Sequence, residues 1–141
     1  LYRSNYYRHL SDNISQDFNM TRRIFNVERI WKLHPSMFCP MKYVVYDIVI
    51  RSCGISFFPE DCFWRIEGLR FLDVSFNPIT KISSATFVNQ TTLSKLYIRK
   101  TWIRSFPNGT FNDLRSLNLL VISNNKLQFP QSGNFFSSDK A

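Results

Sequence analysis

Leu69-Arg-Phe-Leu72-Asp-Val74-Ser-Phe-Asn77-Pro-Ile79-Thr-Lys-Ile82 is followed by Phe87, and twenty-four residues after Leu69 the same pattern starts again. Leu93, Leu96, Ile98, Ile103, Phe106 and Phe111 occupy its apolar places in a second pass. Leu117, Leu120, Ile122, Leu127, Phe129 and Phe135 make a third. A fixed period of this size is the mark of a solenoid, in which one repeat cannot bury its apolar face without neighbours.

Working outward, Val45, Ile48, Ile50, Cys53, Ile55, Phe58 and Phe63 repeat the landmarks one period earlier. Residues 45–141 therefore read as repeats starting at 45, 69, 93 and 117. Met20, Phe25, Ile30, Leu33 and Phe38 match the places of Leu69, Val74, Ile79, Ile82 and Phe87, so residues 20–44 read as an irregular first coil or an N-terminal cap. Arg23 there stands in an apolar place, and Met20 precedes Val45 by 25 residues. In residues 1–19 no strand alternation is visible, but Tyr2, Tyr6, Leu10, Ile14 and Phe18 recur every fourth residue. That spacing suits one helical face, and a loosely ordered terminus is the other reading.

Within a repeat, Leu-x-Leu alternation sends apolar side chains to one side and variable ones to the other, as a short strand requires. Successive strands then stack into a parallel sheet. After the strand the chain turns, and the amide of Asn77 or Asn125 can bond peptide groups that the turn would leave unpaired. Cys53 and Thr101 replace that Asn, which predicts a softer ladder at their coils. The expected fold is an α/β-type solenoid: a short arc with a parallel concave β-sheet and an irregular convex side, made of four clear coils with the irregular one before them.

The form L-x-x-L-x-L-x-x-N-x-L-x-x-L with a later Phe resembles the 24-residue class of extracellular leucine-rich repeat proteins, and it covers Val45 to Phe135. Lys95-Leu96-Tyr97-Ile98 followed by Ile103-Arg104, with the irregular lead-in, is also similar to mosquito complement-associated leucine-rich repeat proteins. The resemblance implies an extracellular recognition module of innate-immune or receptor-like type that binds a protein ligand. Neither a four-Cys N-terminal cap nor a Cys-rich C-terminal cap accompanies the repeats, which implies a fragment or a short member of the class.

Composition is compatible with this. The chain has 141 residues, 44% hydrophobic and 16% aromatic, with only 4 Gly and 6 Pro, so it reads as one folded domain rather than a low-complexity chain. Its longest apolar run, residues 43–50, contains Asp47 and is far shorter than the roughly 20 residues of a membrane span. The chain starts at Leu1 without an initiator Met, which suggests a processed or trimmed N-terminus. Four N-x-[ST] sequons, at Asn13, Asn19, Asn89 and Asn108, point to a secreted or extracellular glycoprotein.

The 3 cysteines fit an oxidising compartment if Phe38 and Phe63 stack on adjacent coils, because Cys39 and Cys62 then come close enough for a disulfide. Cys53 is left over, either as a small buried side chain or as an intermolecular link that would make a homo- or heterodimer. Catalytic chemistry is sparse. Only His9 and His34 are present, with no metal-ligand spacing, phosphate loop or nucleophile elbow, so no enzyme, metal or cofactor is expected.

What remains is a surface. The variable strand positions Phe71, Asp73, Lys95, Tyr97, Arg99 and Val121 are expected to line the concave sheet and to bind a partner. Of the net charge of +8, the stretch 93–116 contributes Lys95, Arg99, Lys100, Arg104 and Arg115 against Asp113. This basic stripe around Tyr97 favours an acidic protein surface, with nucleic acid or an anionic glycan as the competing partner. A structural role, with the repeats joining an assembly through an edge or Cys53, is the other class of function.

Overall fold

The computed structural model describes residues 18–19, 24–28 and 46–128. Six strands form one sheet in chain order: β1 (Phe18–Asn19), β2 (Ile24–Glu28), β3 (Asp47–Arg51), β4 (Phe71–Asp73), β5 (Lys95–Tyr97) and β6 (Leu119–Val121). β1 pairs antiparallel with β2, and from β2 to β6 every pairing is parallel. Ile48, Leu72, Leu96 and Leu120 lie in one register row, so the 24-residue period of the sequence is also the period of the sheet. The expected fold is the one observed: a short solenoid arc with a parallel sheet on one side. Among the described residues there is no helix.

Alternation decides which side chains enter the core. Ile48, Ile50, Leu72, Val74, Leu96 and Ile98 are all 0% exposed, and each removes from water an apolar surface that contributes about 1.5–3 kcal/mol. On the convex side each coil returns through consecutive i→i−3 turns, as in Cys62 N–H to Pro59 O, Thr86 N–H to Ser83 O and Thr110 N–H to Pro107 O. These turns hold a phenylalanine spine. Phe63, Phe87 and Phe111 stack at 6.1 and 6.2 Å with their planes 15° apart. Phe58 and Phe106 lie tilted against the spine at 5.2 and 5.1 Å.

Asn77 bonds more widely than its own turn. Its Oδ1 accepts Cys53 N–H at 2.9 Å and Ile55 N–H at 3.3 Å, and its Nδ2 donates to Ile50 O at 2.8 Å, all in the coil before. The same Nδ2 also donates to Val74 O and Ser75 O within its own coil. Asn125 does the same for Thr101 N–H and Ile98 O. The coils of Cys53 and Thr101 are thus served from the next coil. The missing side-chain bridge lies between Asn77 and Thr101, where Thr101 Oγ1 instead donates onward to Asn125 Oδ1 at 2.8 Å. Between the described coils, the soft place is therefore the seam between the second and third coils; the seam that Cys53 would bridge runs against residues outside the described ones.

Two further expectations change. β2 aligns Phe25 with Ile48 and Val27 with Ile50, so Phe25 holds the place of Leu72 rather than that of Val74. By strand register the spacing into the Val45 coil is therefore 23 rather than 25. Phe18, the last residue of the every-fourth series, is in β1 and not on a helix: pairing with β2 satisfies its backbone. Tyr2, Tyr6, Leu10, Ile14, Met20, Ile30, Leu33, Phe38, Phe129 and Phe135 lie outside the described residues, as do His9 and His34.

Candidate protein-binding face

The variable positions of the strands form rows across the concave sheet. Asp47, Phe71, Lys95 and Leu119 are aligned in one row, and Val49, Asp73, Tyr97 and Val121 in the next. Two residues further on, Arg51, Ser75 and Arg99 continue the face. Lys95 is exposed, while Phe71, Tyr97, Arg99 and Val121 are half-buried, and Leu119 beside them is 38% exposed. Phe71 and Tyr97 meet across β4 and β5 with centroids 5.3 Å apart and planes at 52°. The Arg99 guanidinium lies 5.3 Å over the Tyr97 ring, and its Nε is buried without an acceptor. One N–H on this cluster is therefore already desolvated.

Asp73 does not join the exposed set. Its side chain is 0% exposed, and Oδ2 accepts Arg51 Nε at 2.8 Å and Arg51 Nη2 at 2.5 Å. Oδ1 accepts the Ser75 N–H at 2.9 Å, and Ser75 Oγ in turn accepts the Arg99 N–H at 3.1 Å. A fully buried carboxylate, with both oxygens accepting from its own protein, braces the sheet instead of meeting a partner. The warning in the sequence is that Arg51 and Asp73 occupy diagonal positions on one sheet face, where long side chains reach each other.

The basic stripe of the third coil is divided by the fold. Only Lys95 and Arg99 flank Tyr97. Lys100 and Arg104 are exposed beyond the strand, Arg115 is exposed at the far end of the coil, and Asp113 accepts the Asn89 N–H at 2.8 Å. Asn89 and Asn108 are exposed in the return turns, away from the strands. Asn13 and Cys39 lie outside the described residues, and of Asn19 only the strand position is described. Cys62 is buried and disulfide-bonded. Cys53 takes no part in a disulfide, is 0% exposed, and donates its thiol to Arg51 O at 3.1 Å.

Sequence reasoning missed a second set of exposed side chains. Lys100 Nζ lies 5.2 Å over the Phe76 ring, and Lys126 Nζ lies 4.8 Å over the Trp102 ring. Each pair is separated by one period in sequence, so the 24-residue spacing that reveals the leucines could also have revealed these pairs. Among the described residues no group of three or more His, Cys, Asp or Glu is placed to hold a metal ion. No helix among them is long and apolar enough to cross a membrane.

The repeat, the parallel sheet and the asparagine bridges define a solenoid fold, and residues 67–127 are similar to the leucine rich repeat family model. Among curated proteins, human leucine-rich repeat-containing protein 66 is 30% identical over 96 residues. That alignment covers 68% of this chain and 11% of the human protein, so the chain spans about a tenth of that relative's length.

Proposed function

We propose that the protein is a secreted or ectodomain recognition module of innate-immune or receptor-like type, which binds a protein partner through the concave sheet. The observation that carries this reading is the cluster of Phe71, Tyr97 and Arg99, half-buried against one another, beside exposed Lys95 and Leu119. An aromatic pair with an arginine over it, bordered by a charge and an aliphatic side chain, has the composition of an interface hot spot. Phe71, Lys95, Tyr97, Arg99 and Val121 are the contact residues, and Asp73 positions Arg51 and the backbone behind them. Lys95 and Arg99 favour a partner with an acidic surface.

The four sequons support an extracellular setting, and sugars on Asn89 and Asn108 would leave the sheet accessible. The pairing of Cys39 with Cys62 belongs to the same setting. Capture of a partner from native fluid by immobilised protein, compared with Tyr97→Ala and Arg99→Ala, tests the reading. Each variant should lose most of the capture without a fall in melting temperature; undiminished capture by both would remove this face from the function. The assembly reading through Cys53 loses support, because a fully buried thiol cannot meet a second chain without opening its coil.

A further inference from the structure

Beyond the strands the chain alternates again. Residues 53, 55, 77, 79, 101 and 103 turn inward and are buried, while the residues between them face outward at the rim formed by the carboxyl ends of the strands. Thr80 N–H to Ser56 O, Trp102 N–H to Ile79 O and Lys126 N–H to Ile103 O bind these segments side by side, so the outward residues form one continuous strip across the coils. Phe76 is 43% exposed on this strip and Trp102 52%. Lys81, Lys100, Arg104 and Lys126 are exposed with them. The stretches 52–59, 76–83, 100–107 and 124–128 contain these cations and not one Asp or Glu.

Backbone geometry adds a second observation. Phe76 and Lys100 have φ of 61° and 51°, a conformation that a bulky L-residue adopts only at a conformational cost. Glycine would relieve it, yet the chain places here the two side chains of a cation–π pair. Ser52 and Asn124 have the same conformation, at φ of 54° and 59°, so the left-handed turn belongs to every coil and carries Phe76 and Lys100 out to the rim.

We propose that this rim is a second docking surface, distinct from the concave face, for an extended peptide segment of another protein that carries both carboxylates and apolar side chains. The absence of any carboxylate from the rim segments, set against four cations, gives the charge complementarity. Two large aromatic side chains, each about half exposed, require apolar matter in the partner as well. A polyanion without apolar surface would leave them wet. One face of each ring is already covered by a lysine near 5 Å, so a stacking base or sugar ring finds that face occupied. Aliphatic side chains can pack on the ring edges and remaining faces while carboxylates meet Lys100, Lys126 and Arg104.

The test uses the full chain and a short fluorescein-labelled peptide of alternating Glu and Leu, read by fluorescence anisotropy. Oligoglutamate of equal charge, a heparin oligosaccharide and oligothymidine serve as the other probes. The Glu–Leu peptide should bind more tightly than oligoglutamate. Trp102→Ala should weaken it about thirtyfold, the loss expected of an aromatic hot spot, and Lys100→Glu with Lys126→Glu at least as much. Tyr97→Ala should leave the peptide affinity unchanged, so this site and the concave site fail independently. All of these substitutions are at exposed or half-buried side chains, and unchanged melting temperatures confirm folding. Peptide binding indifferent to Trp102→Ala, or heparin or oligothymidine binding more tightly and independently of Trp102, would overturn the proposal.

Discussion

Among the described residues, Asn77 is the side chain on which the most backbone groups converge: two N–H groups and three carbonyls from two coils. Asn77→Ala removes those partners in a site that water does not reach, and a loss of about 2–4 kcal/mol in unfolding free energy is expected. Asn77→Asp should cost at least as much, since a carboxylate cannot donate to Ile50 O. Chemical denaturation of the two variants checks both. At Ser52 the reasoning is conformational. It is exposed with φ of 54°, so Ser52→Val should destabilise by about 1–2 kcal/mol more than Ser52→Gly although neither touches the core. Equal stability of the two would show that the backbone there tolerates a branched side chain. Asn77 was legible in the sequence because its amide chemistry recurs with the period. Ser52 was not, since of the side chains at 52, 76, 100 and 124 only Asn124 favours a left-handed backbone.

The strands and their bridges make larger claims. The seam between the second and third coils lacks a side-chain bridge at the ladder position, and Thr101→Asn would place an amide against Val74 O as Asn77 lies against Ile50 O. A gain of about 1 kcal/mol is expected, visible as a rise of a few degrees in melting temperature; a fall would mean that the Thr101–Asn125 bond outweighs the new ones. Arg51→Ala should cost about 2 kcal/mol or more, because Asp73 then remains buried without its counter-charge. Arg51 is itself 35% exposed, so the cost should be at the lower end for a buried pair. Asp73 shows where alternation misleads. Period two placed it on the open face, and it is on that face, but neighbouring side chains close over it. Which face a residue occupies follows from local sequence; whether it stays wet depends on residues 22 or more positions away.

At the scale of the whole molecule, the repeat made the core and the sheet register readable from leucine spacing alone. The division of charge between two surfaces was not readable, because Lys95, Arg99, Lys100, Arg104 and Arg115 are near one another in sequence and separate only when the coil closes. On the proposed extracellular reading, protein made in a secretory host should lose mass on treatment with peptide N-glycosidase, and Asn89→Gln and Asn108→Gln should each remove one step. No mass change in any form would count against secretion through a glycosylating pathway. Non-reducing electrophoresis should show a monomer, with Cys53 modified by iodoacetamide only after unfolding.

The two asparagine bridges also bear on how this chain could shorten or lengthen. If residues 69–92 were excised, the Cys53 coil would meet the Thr101 coil and no amide would join them. If residues 93–116 were excised instead, Asn125 would face Asn77 and the bridging would run on without interruption. The coil most readily spared by the ladder is the one that bears Tyr97, Arg99 and Trp102. In the lineage of such a chain, the coil of the two proposed surfaces could be dropped, duplicated or exchanged as a cassette while the architecture on either side survived.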